Sequence, residues 1–396
     1  MVREKKMRIA MLAPEILPSW GGVGSYTYNL IHNLPSDVEI HLITIDRPVV
    51  DPDDKTIWDE NIHIHKITEI SSYESFFYNV KFQLAVLKNL KKLHKLYNFD
   101  LIHSHSGHLP HLFSQFQNIA PLIVTVHTET KGLKKARKGL KYKKDVTEVL
   151  HDSFSPIIEL GEKINFQKAD ILLPISKFTL RQINECYGVD TKDKAKVIYN
   201  GVDTEFFKPI DNHINDPLFI TFVGRLYSLK GLDVLLKSIS IIVNKGYKIK
   251  LMFLGRGNIK YLKEICQSFL EKNSYSIVGM IDYKKMPEIY NQSDVVVLPS
   301  VYEGCSSTIL ETLSSGKIII ASDAGGTPEI IRHGYNGLLF KSRNSSELAE
   351  RIIDVFEKKI DIDNIKRNAR ESAVKQYNWK NKGKEVYQEY LKLLNE

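Results

Sequence analysis

Two glutamates stand eight positions apart in "SVYEGCSSTILETLSSG" (300–316), with Glu303 at the exit of an apolar run and Glu311 two helical turns further on. A carboxylate at such an exit can accept hydrogen bonds from a bound polyol. One set deep in a helix beside Ile309, Leu310 and Leu313 is heading for the interior and needs a polar partner there. Between them, Gly304 lets backbone approach a ligand, and the small residues Cys305, Ser306, Ser307 and Thr308 open the helix. Unpaired N–H groups at a helix start attract phosphate. A second stretch, "GRLYSLKG" (224–231), sets Gly224, Arg225 and, five residues later, Lys230 at another run's exit. A planar guanidinium and a compact ammonium suit a pyrophosphate, whose charge grows as it departs. By itself this stretch reads equally well as a solvated loop with surface charges.

Other residues invite chemistry with less specificity. "GGVG" (21–24) opens a helix with Gly21, Gly22 and Gly24, but Thr27 holds the last position of a G-x-G-x-x-G pattern, so a dinucleotide fingerprint is not formed. His103, His105 and His127 end the runs "DLIHSH" and "TVH". Histidines in such places are more often satisfied core residues than catalysts. The H-x-H pair raises a metal reading, yet no acidic or cysteine partner has suitable spacing nearby, so no metal site is expected.

These side chains need a scaffold. Apolar β-branched runs at 8–14, 38–45, 100–105, 122–127, 171–176 and 196–201 alternate with helix-period segments at 23–33 and 78–97. A second series of runs begins at 218–224, 249–255, 276–281, 294–300 and 317–323, and the tail from about 345 is helical. The polar, proline-punctuated segment 203–217 reads as a linker. Continuous apolar strands separated by helices imply parallel sheets covered on both faces. The expected fold is therefore α/β, two doubly wound Rossmann-like domains facing a cleft. Ligands of such sheets bind beyond the carboxyl ends of the strands, which is where the residues above fall.

Composition narrows the class. The chain has 396 residues, 43% hydrophobic and 26% charged, enough for two folded domains. Cys186, Cys266 and Cys305 lie far apart with no CxxC pair, which implies free thiols in a reducing compartment. The apolar start is broken by Pro14, Glu15 and Pro18, unlike a signal peptide, and no stretch approaches a membrane span. A cytoplasmic protein is expected. The net charge is +8, and "KGLKKARKGLKYKK" (131–144) carries eight basic side chains and no acid. That run favours an anionic partner such as a membrane surface, with Leu133, Ala136 and Leu140 sharing one helical face. A solvated charged loop is the plainer reading. Nucleic acid is not expected, because no aromatic stacking platform or binding module accompanies the charge.

Residues 294–331, "DVVVLPSVYEGCSSTILETLSSGKIIIASDAGGTPEII", resemble the donor site of the retaining glycosyltransferases called glycosyl transferases group 1, which have the GT-B fold. Glu303 and Glu311 meet its E-x7-E pattern, and Gly224, Arg225 and Lys230 its G-R-x4-K pattern; "VIYNGVDTEFF", "LMFLGRGN", "GGVG", "DLIHSH" and "TVH" also fit. Cys305 and Ser306 stand where members often carry Phe-Gly or Leu-Pro.

The resemblance implies an acceptor-binding domain over 1–205, a nucleotide-sugar-binding domain over 206–375, and a final helix over 376–396 that packs across the junction. It implies that Arg225 and Lys230 hold the donor diphosphate, Glu311 the ribose, and Glu303 and His127 the donor sugar. Gly22, Gly224 and backbone N–H groups around Gly304, Cys305, Ser306, Ser307 and Thr308 would meet phosphate or sugar oxygens. Gly21, Gly22 and His105 would lie on the acceptor side, with "GGVG" a flexible loop. Asp323 to Gly326 would be secondary neighbours, and enzymes of this kind often place acceptor-side, sometimes membrane-binding, helices near 131–144.

The implied reaction is retaining, metal-independent transfer of a hexose-type sugar from a UDP- or GDP-linked donor to a hydroxyl of a glycan, lipid or small molecule, with no cofactor. Two rivals remain at this point: a nucleotide-sugar epimerase on a similar fold, and a non-catalytic sugar-nucleotide or membrane-surface binding protein.

Overall fold

The computed structural model describes residues 6–15, 21–46, 58–69, 77–105, 116–140, 146–210 and 217–395. It divides into two units. The first comprises Met1–Gly132, Thr147–Asn200 and Trp379–Glu396, the second Leu133–Val146 and Gly201–Asn378.

In the first unit, β1 (Met7–Leu12), β2 (Val38–Asp46), β3 (Ile62–Glu69), β4 (Leu101–Ser104), β5 (Leu122–Val126) and β6 (Ile171–Pro174) form one sheet in the order β3-β2-β1-β4-β5-β6. Every pairing is parallel. The central strands bury both faces. Leu30, Ile40 and Leu173 belong to one layer of apolar side chains, Phe82, Leu90 and Ile183 to the other. Strand order reverses between β1 and β4, where a crevice opens at the carboxyl ends.

The run 196–201, expected as a strand, is not one. Lys196 N donates to Leu172 O (2.9 Å) and Ile198 N to Pro174 O (3.1 Å), so the segment does track β6. The return bond from position 174 is missing because proline has no N–H, and the ladder stops there. Conversely, β3 was not expected. Its "IHIHKITE" alternates polar and apolar residues, as suits an edge strand.

The C-terminal helix, Trp379–Asn395, belongs to the first unit. Trp379 meets Tyr26 edge-on at 5.0 Å between ring centroids. Gly383 lies so close to the Asn33 backbone that a Cβ there would be 2.2 Å from the Asn33 carbonyl oxygen. Any side chain would push the helix away.

In the second unit, β7 (Leu218–Val223), β8 (Ile249–Leu254), β9 (Tyr275–Val278), β10 (Val295–Leu298), β11 (Ile318–Ser322) and β12 (Leu338–Phe340) are again all parallel, in the order β12-β11-β10-β7-β8-β9. Counted from each unit's first strand, the two sheets have one topology. The second reverses between β7 and β10. Of the stretch read as a linker, residues 204–210 are fastened to this unit. The Arg370 guanidinium donates to the carbonyls of Thr204 (2.7 Å) and Phe207 (2.9 Å), and Ile210 N to Asn291 Oδ1 (2.8 Å). Residues 211–216 lie outside the described residues.

Candidate functional site

The second unit gathers its candidates at the β7/β10 reversal. After β7 the chain turns through Gly224 and Arg225, and a short turn at Ser228–Lys230 leads into the helix Leu232–Asn244. Gly231, at φ 65°, ends that turn against β10's exit; a Cβ there would lie 1.9 Å from the Pro299 carbonyl oxygen. Only glycine combines that φ with that approach. Val301 N completes the junction by donating to Leu229 O (2.9 Å). The consequence is chemical. Lys230 Nζ forms an ion pair with Glu303 Oε1, joining the G-R-x4-K and E-x7-E stretches.

Burial works against the Lys230 charge, but Glu303 foremost and Tyr227 after it outweigh burial, and its pKa stands above the ordinary lysine value. Arg225 is exposed, and its guanidinium is near enough to Lys230 to oppose that charge. Two cations therefore share this mouth.

Glu303 is held from its other side. Gly325, at φ 62°, brings the loop after β11 against it, and Gly326 N donates to the Glu303 carbonyl (2.8 Å). Asp323 is otherwise engaged, accepting from Lys341 Nζ (2.9 Å) and Ser342 N (2.8 Å). It ties β11 to the chain after β12 rather than facing a ligand.

Cys305 and Ser306 are buried, and Ser306 caps the helix Ser307–Ser314 without a side-chain hydrogen bond to its N–H groups. Glu311 has the partner its burial demands. Tyr290, from the helix Met286–Gln292, donates its hydroxyl to Glu311 Oε2 (2.6 Å). Burial raises the Glu311 carboxyl to about 7, with the Tyr290 hydrogen bond pulling the other way. Thr308 hydrogen-bonds the same phenol. Tyr290 was not among the residues singled out from sequence. In "KKMPEIYNQS" it reads as one more apolar face residue, and only the fold brings it to Glu311.

The first unit's mouth is built from imidazoles. His103, at the end of β4, is fully buried and satisfied on both nitrogens, by Tyr390 Oη (2.6 Å at Nδ1) and Thr125 Oγ1 (2.7 Å at Nε2). It is a structural fastener for the C-terminal helix. His105 Nδ1 lies 3.3 Å from His127 Nε2, and among the described residues His105 Nε2 has no hydrogen-bond partner. Tyr26 packs edge-on against His127 at 4.7 Å. Burial lowers all three histidines; His103 and His127 fall to about 3, and His105 is further depressed by its two neighbours. The three imidazoles are therefore uncharged at physiological pH.

"GGVG" is not a loop among the described residues. Gly21 to Gly24 are the first turn of the helix Gly21–His32. An added Cβ on Gly22 would meet nothing within 4 Å, so packing does not require glycine there.

The basic run is shorter as a helix than its pattern suggests. The helix Thr130–Arg137 ends before Leu140, because Gly139 turns out at φ 79°, and Leu140 leaves the shared face. Lys131 is committed to the Cys186 carbonyl (2.7 Å), and Arg137 is buried. Lys134, Lys135 and Lys138 remain exposed, while 141–144 lie outside the described residues. Among the described residues no helix is long and apolar enough to cross a membrane.

Comparison with known proteins places this geometry. Residues 203–372 match the model of Glycosyl transferases group 1, and residues 20–206 that of Glycosyltransferase Family 4. An uncharacterized glycosyltransferase of Methanocaldococcus jannaschii is 25% identical over 97% of this chain and 98% of its own length. Among solved structures, sucrose-phosphate synthase from Thermosynechococcus elongatus superposes with a TM-score of 0.82 at 18% identity, covering 98% of this chain and 99% of that one. Anabaena HepE in complex with UDP-glucose gives 0.73 at 18% identity over 97% and 99%. These likenesses show the GT-B fold.

Proposed function

The chain belongs to the glycosyl transferases group 1 family, and from that premise we propose that it moves a hexose-type sugar from a nucleoside-diphosphate sugar to a hydroxyl acceptor with retention at the anomeric carbon. The observation that carries the reading is the charged Lys230 at the β7 exit, paired with Glu303 and accompanied by Arg225. A diphosphate bound there gains most from the two cations when its bond to the sugar breaks, because that is when its charge rises. Two fixed cations supply neutralisation that a divalent ion supplies elsewhere.

Each remaining residue has a role in this reading. Glu303 receives sugar hydroxyls while holding Lys230 in place. Glu311 gives one oxygen to Tyr290 and offers the other to the ribose. The uncapped N–H groups at the start of the helix Ser307–Ser314 meet phosphate oxygens, beside Gly224, Gly304, Cys305, Ser306, Ser307 and Thr308. In the first unit, His105 and His127 are neutral, so they accept from or donate to hydroxyls without adding charge, and Gly21 and Gly22 leave backbone open to a substrate.

The bond from the anomeric carbon to the phosphate oxygen breaks as the acceptor oxygen bonds the same face. The hydroxyl proton passes to the departing diphosphate. No residue is asked to form a covalent intermediate. UDP is the first base to try, because the Anabaena neighbour is solved with UDP-glucose. A glycan or lipid hydroxyl is the acceptor, and exposed Lys134, Lys135 and Lys138 suit an anionic one or an anionic membrane surface.

The test is a thermal-shift screen of UDP, GDP and ADP with their sugars, then transfer to glycan and lipid extracts read by mass spectrometry, with NMR of the product anomer. Nucleotide-dependent stabilisation followed by a retained glycosidic product is expected. Inversion at a ring carbon of donor alone would identify an epimerase, and tight nucleotide binding without transfer to any extract would identify a binding protein.

A further inference from the structure

The amino-terminal halves of β2 and β3 carry a cluster that glycosyl transfer does not use. Glu39 and His41 alternate on one face of β2, and His41 pairs in register with His63 of the edge strand β3, placing the three on one face. Glu39 Oε1 lies 3.0 Å from His41 Nε2 and 3.5 Å from His63 Nε2. The three donor atoms lie within 4.8 Å of one another. Bonds of 2.0–2.2 Å at tetrahedral angles put neighbouring ligands about 3.3 Å apart. The two separations from Glu39 bracket that edge.

The surroundings orient the set. Glu39 Oε2 faces Arg8 Nε (3.4 Å), which leaves Oε1 to the histidines. His41 Nδ1 meets His65 Nε2 at 2.9 Å. With an ion bound at Nε2, the proton of His41 sits on Nδ1 and is donated to His65 Nε2. That is how outer partners set the tautomer of a metal-bound imidazole. Tyr97 and Phe99 close the inner side, 4.4 and 5.1 Å from the His41 ring. His41 is fully buried, whereas His63 is half-exposed and gives an ion its way in.

We propose that Glu39, His41 and His63 bind one divalent transition-metal ion of the zinc type, with water in the fourth position, as a clamp of the edge strand β3 onto β2. Nitrogen and carboxylate donors without thiolate suit zinc and its neighbours in the first transition row. The cluster sits at the amino ends of its strands, away from the carboxyl-end mouth where ligands of such sheets bind. Its role is to hold the sheet edge, not to take part in transfer.

The test uses the untagged full chain, stripped with chelator and titrated with ZnCl2 by calorimetry and thermal shift. One ion per chain is expected, with the melting midpoint raised by about 4 °C or more at a hundredfold excess over Kd. His63→Ala, at a half-exposed position, should fold as the stripped wild type does yet bind at least about tenfold more weakly and lose the shift. Absence of stoichiometric binding in the wild type would show a hydrogen-bond network only and overturn the proposal. So would wild-type affinity in His63→Ala, which would place the ion elsewhere, such as at His105 and His127.

Discussion

The two sheets share one strand order, and each reverses direction between its first strand and its fourth, yet the crevices they open hold opposite chemistry. At β7 and β10 charge is kept: Lys230 stays protonated because Glu303 compensates its burial, and Arg225 adds a second cation. At β1 and β4 the imidazoles carry no charge: His103 and His105 are buried, His127 lies beside them, and all three are held neutral. Topology decides where a ligand can sit, and the few side chains at the strand exits decide what it can be. A charged mouth fits a diphosphate, and a neutral polar one fits hydroxyls.

The largest effect should come from breaking the charged mouth. Lys230→Ala is expected to lower kcat by about 10²–10³-fold, the size of losing one preorganised group that meets developing charge. Lys230→Ala with Glu303→Gln avoids stranding a buried carboxylate and should be equally inactive. Steady-state kinetics with the donor found by the screen decides; wild-type-like turnover in both variants would remove the second unit's mouth from the chemistry.

The next effect is a stability difference with a definite sign. Glu311 titrates near 7 in the folded chain against an ordinary value of 4.5, so the folded state binds its proton more tightly. Stability therefore falls as pH rises from about 4.5 to about 7 and is flat above, by roughly 3 kcal/mol in all. Glu311→Gln mimics the protonated acid. It should melt with the wild type near pH 5 and several degrees above it at pH 8, while binding nucleotide more weakly. Parallel melting of the two proteins across that range would contradict the buried-acid assignment.

Much of this contrast was legible in the sequence, for physical reasons. The strands at both reversals are buried on both faces, so their runs such as "DVVVLPS" and "LFITFVG" are continuous and easily read. Glu303, Lys230 and Arg225 stood out as charged groups close behind apolar runs, and the structure pairs Lys230 with Glu303. What hid was what alternates or arrives from afar. β3 alternates as an edge strand, so its histidines went unread beside His41. The segment 196–201 has a strand's composition, and only its neighbour's Pro174 prevents the ladder. Tyr290 and Tyr390 reach Glu311 and His103 across 21 and 287 residues, and no local pattern encodes such partners.

A smaller effect should separate fastening from function in the neutral mouth. Tyr390→Phe leaves His103 Nδ1 buried without its partner, at about 1–3 kcal/mol. The expected result is a melting point lower by a few degrees with kcat within about twofold of wild type. His127→Ala is the contrasting variant, with activity falling more than stability. If Tyr390→Phe instead lost most of its turnover at unchanged stability, His103 would be part of the chemistry and the reading of a satisfied core histidine would fail.

The smallest effect on stability, and the finest test of the first mouth, is Gly22→Ala. Gly22 lies in the first turn of the helix Gly21–His32, and a methyl there meets nothing within 4 Å. Alanine is the better helix former, so the variant should be as stable as wild type or more so by up to ~1 kcal/mol. If the turn's backbone approaches a substrate, the same methyl intrudes on that substrate and KM rises while the melting point does not fall. Separate titrations of donor and acceptor then tell which one the first unit's turn touches. A rise confined to the acceptor would keep the division between a charged donor mouth and a neutral acceptor mouth. A rise confined to the donor would show that the glycine turn reaches the diphosphate. Unchanged KM for both would leave Gly21 to Gly24 as a helix start and nothing more.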